Sequence, residues 1–187
     1  MHPQITAITD ELRSAQARLH RLADRLPLDR WATRIRPESW SVAECVEHLN
    51  LTGRAYLPLL EQALAEARRL GGPAPRRYRR DPIGWLLWRT MGPPVRHRVK
   101  TTAPFVPGAT APAGELIAEF DRLQGEQLRL TEAADGLPLQ RVRVQSPFAE
   151  RVRYNLYSCL TIIPPHQHRH LWQAEQLLVT PAAPAAP

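Results

Sequence analysis

The stretch ITAITDELRSAQARLHRLADRL, residues 5–26, places Ile5, Ile8, Leu12, Ala15, Leu19, Leu22 and Leu26 at steps of 3, 4, 3, 4, 3 and 4. Apolar residues that return every three and four positions fall on one stripe of an α-helix. A stripe unbroken over six steps has to lie lengthwise against other helices, so the segment reads as a core helix of a bundle. Asp10, Arg13, Arg18, Arg21 and Arg25 fall mostly on the wet side. Pro27 has no amide hydrogen to continue the ladder and ends the helix.

Working outward, the next helix announces its own start. In WSVAECVEHL (40–49), Ser41 fits the N-cap and Glu44 the third helical position of a capping box, with Trp40 and Cys45 placed as a hydrophobic staple. The helix is predicted from Val42 to about Leu70, with Val42, Cys45, Leu49, Tyr56, Leu59, Ala63 and Leu70 inward and Gly71-Gly72-Pro73 as its stop. Pro58 should kink or split it. Eight of the nineteen prolines fall in residues 71–113, which excludes one long helix there. A short helix is predicted over 82–91, with Asp81 as N-cap and Pro82 in the first turn. Its Ile83, Trp85, Leu86, Trp88 and Met91 need cover, so it should lie on the bundle. A further seam runs through Leu116, Phe120, Leu123, Gln127, Leu130 and Ala134, with Gln127 its one polar member. Residues 137–151 read as a linker with a short extended piece at Val142–Val144, and 152–179 as a last helix. Four main helices near 4–26, 41–70, 113–135 and 152–179, the second and third joined by a long crossover carrying the short extra helix, predict an all-α four-helix bundle with almost no strand. Residues 1–180 should form one domain, and the Pro/Ala tail 181–187, with no core partner, should be disordered.

Composition narrows the class. The 187 residues are 43% hydrophobic and 23% charged, a globular balance. Two cysteines, Cys45 and Cys159, exclude a disulfide scaffold and an all-cysteine zinc site. No apolar run approaches the ~20 residues of a membrane span, and the N-terminus shows no signal-peptide pattern, so a cytoplasmic protein with no membrane partner is expected. The net charge of +7 is local: residues 76–100 hold eight basic residues and one acid, while the remainder holds 17 of each sign. Arginine supplies 24 of the 25 basic residues, a genomic bias that weakens any argument from arginine number.

The chemistry lies in the histidines. His2, His20 and His97 read as surface residues. His166, His168 and His170 occur in PPHQHRHLWQAEQLL. As a strand, HxHxH would suggest a metallo-β-lactamase-type site, but the Asp of that motif is missing and LWQAEQLL forms helix well. On a helix, His166 and His170 stand about 40° apart on one face and His168 points away. Two histidines four apart form a clip for a divalent ion; the alternative is a pair of bundle-edge side chains. His48, two turns into the capped helix beside Cys45 and Thr52, would be poorly satisfied alone and completes a three-nitrogen set with open positions. Gln173 shares the face of His166 and His170 and is the candidate to orient a ligand or contact a bound cofactor. Glu44 is explained by the capping box; Cys45, three before His48, and Cys159, seven before His166, are assigned to core packing, with approach to the metal as the alternative.

These motifs, together with Trp31…Pro37…Trp40, PPVRHRVKTTAPFVP (93–107) and SPFAERVRYNLYSCL (146–160), resemble the DinB-like (DNA-damage-inducible) helical metalloproteins. The resemblance covers about residues 5–180 and matches the family's ligand pattern at His48, His166 and His170. It implies a four-helix bundle holding Zn, Ni, Mn or a similar divalent ion, and for some relatives thiol-dependent S-transferase or isomerase activity in which the metal activates a thiolate. One departure stands out: Pro164-Pro165 precede His166 where relatives continue the helix, and the sequence predicts a kink there or a restart with Pro165 in the first turn.

The leading expectation is a metal-dependent enzyme of the thiol S-transferase, isomerase or hydrolase type, with a small-molecule substrate or low-molecular-weight thiol as partner and no general base nominated. A non-catalytic metal-binding stress protein on the same fold is the alternative. A third reading, with lower weight, is anion or nucleic-acid binding through residues 76–100, where Trp85 and Trp88 interleave with arginines. A homodimer is compatible with the sequence.

Overall fold

A computed structural model describes residues 1–94, 101–108 and 111–179. The Pro/Ala tail, His97 and the 95–100 part of the basic segment lie outside the described residues. Among the described residues there are five α-helices and one two-stranded sheet: α1 (Pro3–Arg25), α2 (Val42–Leu70), α3 (Pro82–Met91), α4 (Ala113–Glu132), β1 (Arg143–Ser146), β2 (Ala149–Asn155) and α5 (Leu156–Val179). No helix among them is long and apolar enough to cross a membrane.

The α1 seam is buried along its whole length, from Ile5 to Leu26. It faces α4 and α5, and α2 closes the other side against the same two helices. At the start of α2 the capping box is complete: the Glu44 amide donates to Ser41 Oγ (3.2 Å) and the Ser41 amide to Glu44 Oε2 (2.8 Å). Burial pushes the Glu44 carboxyl up, but hydrogen bonds from Arg34 and Ser41 outweigh it and hold the group below its ordinary value. Gly71 ends α2 at φ +57°, a backbone region that favours glycine.

Neither α2 nor α5 is split at its prolines. Pro58 sits inside an unbroken α2 on its exposed face, where water can satisfy the carbonyl that loses its partner. Beyond it, Leu60, Ala63, Leu64 and Ala67 are the buried positions, so Ala63 is inward as expected, whereas Leu59 is half-buried and Leu70 exposed. Pro164 and Pro165 likewise sit inside a continuous α5. Packing of α5 against α1, α2 and α3 supplies what local propensity lacks.

The last helix begins at Leu156, not Val152. The residues before it form a hairpin in which Arg143, Val144 and Gln145 pair antiparallel with Asn155, Tyr154 and Arg153, with an irregularity after Gln145. Strand is therefore present where almost none was expected. Tyr154 turns inward and its hydroxyl meets that of Tyr56 at 3.1 Å. Helix α3 begins as predicted, with Asp81 accepting from the Gly84 amide at 2.8 Å. It lies along α5 through Gly84, so closely that any Cβ there would overlap Ser158. Its cover is partial: Met91, with Leu87, packs against the core, while Ile83, Trp85, Leu86 and Trp88 are exposed.

The buried apolar side chains form two clusters. One includes Ile5, Ile8, Leu12, Tyr56, Leu60 and Leu130; the other includes Ala15, Leu19, Cys45, Leu49, Phe120 and Leu171. Between them runs a buried polar layer containing His48, Thr52, Gln124, Gln127, His166, Gln167 and His170. The three candidate metal ligands sit in this layer.

Candidate metal centre

One half of the polar layer is closed on itself. Gln167 Nε2 donates to Gln124 Oε1 (2.7 Å) and Gln127 Oε1 (3.1 Å), and Gln124 Nε2 donates to Gln167 Oε1 (3.0 Å) and the Leu12 carbonyl (2.6 Å). The amides satisfy one another and tie α4 to α5 and α1, as buried polar groups must.

The other half contains the three histidines, brought together as the spacing predicted. One ligating atom from each of His48, His166 and His170 lies within 4.8 Å of the others, and all three residues are buried. His48 Nδ1 meets the Phe105 carbonyl at 2.7 Å. A carbonyl only accepts, so Nδ1 carries the proton and Nε2 keeps its lone pair when the ring is neutral. That Nε2 stands 3.3 Å from His166 Nε2. His170 Nδ1 is buried with no hydrogen-bond partner. His168 points away, as expected, to Glu11 (3.1 Å) and Arg18 on α1.

Burial is the main influence on the charge of this set. It lowers the proton affinity of His48, with the Phe105 carbonyl pulling the other way. Burial lowers His166 to about 3, helped by His48 and Arg169. His170 falls well below its ordinary value for the same first reason, with His166, His48 and Arg169 adding to it and Gln173 opposing. All three rings are thus neutral at pH 7, the state in which imidazole ligates metal.

These residues fit a divalent ion. Two nitrogens each about 2.1 Å from one ion stand about 3.0 to 3.4 Å apart for right or tetrahedral angles, and the His48–His166 separation falls in that interval. The Phe105 carbonyl fixes the tautomer of His48, the role an outer partner plays for a ligating imidazole. His170 brings a ligating nitrogen within 4.8 Å of the other two.

The surroundings are aromatic. The Trp40 ring stacks on His170 (5.7 Å between centroids, 28°) and tilts over His48 (4.9 Å). Phe148, carried by the hairpin turn, lies 5.8 Å from His166 and 4.4 Å from Phe105. Gln173 lies beside His170, and its Oε1 is buried without a partner. Cys45 and Cys159 stay in the apolar core away from the cluster; burial pushes the Cys45 thiol up to about 12 and raises Cys159 as well.

Phe105, Phe148 and Arg169 were not identified from the sequence. Arg169 alone carried a signal, lying three after His166 and one before His170 on the ligand helix. The described part of the basic segment runs along α1 and α5, and its Gly92 comes close to Pro165, the neighbour of His166. The Tyr78 amide donates to Gln4 (2.7 Å) at the start of α1, and Arg80 donates to Thr161 (2.9 Å) on α5.

A helical protein with three neutral, buried imidazoles converging from two helices has the build of a histidine metalloprotein. The family described as the DinB superfamily matches residues 11–174, and the chain belongs to it. Neither the curated proteins nor the solved structures contain a match.

Proposed function

We propose that this chain is a divalent-metal protein whose ion is held by His48, His166 and His170 in a single domain over residues 1–180. In this reading α1, α2, α4 and α5 form a four-helix bundle, and the crossover from α2 to α4 carries α3. The observation that carries the proposal is the 3.3 Å approach of two buried imidazole nitrogens, with a ligating atom of a third buried ring within 4.8 Å of both residues' ligating atoms. An ion with three protein donors would supply Lewis acidity, lowering the pKa of a thiol or water bound beside them.

The chain's own residues favour a thiolate as that further ligand. Trp40, Phe105 and Phe148 surround the rings with apolar surface, which suits a sulfur atom better than water. Gln173 offers an unpartnered acceptor to the polar part of the incoming molecule. The reaction class is thiol S-transfer or isomerisation.

The test uses untagged, cobalt-loaded protein titrated with a low-molecular-weight thiol. Thiolate charge-transfer bands are expected, and His48→Ala should abolish cobalt uptake. A spectrum unchanged at saturating thiol would remove the S-transferase reading and leave hydrolysis or a non-catalytic metal-binding stress protein. Full metal uptake by His48→Ala would remove the three-histidine site itself.

A further inference from the structure

Helix α3 buries only Gly84, yet it is apolar on nearly every side. Ile83 is 44% exposed, Trp85 50%, Leu86 56% and Trp88 37%. A helix that is hydrophobic all round belongs inside a core or in lipid, and the core of this protein takes only the side carrying Gly84, Leu87 and Met91. Arginines flank it. The Arg80 guanidinium stacks 3.9 Å from the Trp88 ring centroid, and that of Arg89 lies 6.0 Å from Trp85. Arg77, Arg79 and Arg80 line, with Gln4, Tyr78 and Trp85, a surface depression of about 450 Å³. Residues 76–94 hold five arginines and one acid. That acid, Asp81, is turned to the Gly84 and Asn155 amides and to Arg143. Asp135, near Tyr78, is taken up by the N-terminal amine and the His2 amide.

We infer that α3 and the arginines before it form a docking face for an anionic lipid surface. The helix has ten residues and is about 15 Å long. That is half the ~30 Å of a bilayer core, so it lies in the interface and does not span. Tryptophans at the level of the headgroups, aliphatic side chains below them and arginines reaching the phosphates are the parts such a helix needs. A second copy of the chain fits this face poorly, because a two-fold contact would set the arginines of each copy against those of the other. Single-stranded nucleic acid would use the tryptophans but leave Ile83 and Leu86 exposed. The inference revises the expectation of no membrane partner and is independent of the metal reading.

The experiment is co-sedimentation of the full-length protein with vesicles of phosphatidylcholine alone or with about one third phosphatidylglycerol. Binding is expected only to the anionic vesicles, falling as salt rises. Trp85→Ser/Leu86→Ser should abolish it. Arg77→Gln/Arg79→Gln should weaken it roughly five-fold per arginine removed. All four positions are exposed, so unchanged circular dichroism is expected for both variants. No binding to anionic vesicles at low salt, or binding indifferent to both pairs, overturns the inference. So does displacement by millimolar glycerol phosphate, which would make the depression a free-phosphate site. Preferential binding of an oligothymidylate, or a concentration-dependent dimer lost in Trp85→Ser/Leu86→Ser, would overturn it in favour of those partners.

Discussion

Lowering the pH should unfold the metal-free protein through its histidine cluster, well before the carboxylates titrate. His166 has a folded-state pKa of about 3, against about 6.5 in an unfolded chain. Between these values the unfolded state binds the extra proton, so stability is full above about pH 7 and declines as pH falls. At pH 5 the loss from His166 alone is about 2 kcal/mol. His48 and His170 shift in the same direction and add to it. Against a typical total of about 5–15 kcal/mol, this is a large fraction. The assay is urea unfolding of the chelator-treated protein at pH 7.5, 6 and 5, with His166→Gln as the control that removes one titrating group. The wild-type midpoint should drop with pH, and the variant should drop less. Metal binding at pH 7 should release almost no protons from the histidines, which calorimetry in buffers of different ionisation enthalpy would measure. Equal pH slopes for wild type and His166→Gln, or an imidazole resonance of His166 titrating near 6.5, would refute the reasoning.

Three further outcomes follow from the packing. Gly84→Ala should gain about 1 kcal/mol of helix propensity, yet lose more because its Cβ overlaps Ser158. A net loss of about 1–3 kcal/mol is expected in urea unfolding, and a stabilised variant would contradict the close approach of α3 to α5. Gln167→Leu should leave Gln124 and Gln127 short of partners and cost about 1–3 kcal/mol, much of it recovered when all three glutamines become leucine. Phe148→Ala should speed removal of bound metal by a chelator roughly ten-fold while leaving uptake intact, as read by stopped-flow competition.

The elements that declared themselves in the sequence did so through local spacing. The α1 seam, the Ser41–Glu44 box, the Asp81 cap and the convergence of His48, His166 and His170 were legible because each depends on residues within a few turns, or on two helices sharing a core. The hairpin was missed for a different reason. Val142 and Val144 alternate with arginines, and so do Val152 and Tyr154, around a Ser146-Pro147-Phe148 turn. The second stretch was absorbed into the helix that follows it, since a period of two over four residues loses to a longer helical pattern. Pro58, Pro164 and Pro165 were read by their local cost, which packing overrode. The Phe105 carbonyl on His48 was beyond reach, because the partners lie 57 positions apart across two helices and the proline-rich crossover, and any residue type supplies a carbonyl.

The polar layer shows why the histidine cluster reads as a binding site and not as structural polarity. Both halves of the layer place three hydrogen-bonding side chains in the middle of a core, and both incur the same desolvation penalty. The glutamine half closes its amides on one another and on the Leu12 carbonyl, and so fixes how α1, α4 and α5 meet. The histidine half, a few residues away on the same helices, does not close. One ring is anchored by a backbone carbonyl, two rings face each other nitrogen to nitrogen, and the Nδ1 of the third has no partner. Helix register needs only the first arrangement. Three imidazoles kept neutral by burial, with aromatic rings around them, suit a ligand that supplies positive charge to the nitrogens. A divalent ion meets that requirement. A buried water hydrogen-bonds about three polar groups, and the rings of Trp40 and Phe148 around the cluster offer it none beyond the imidazole nitrogens.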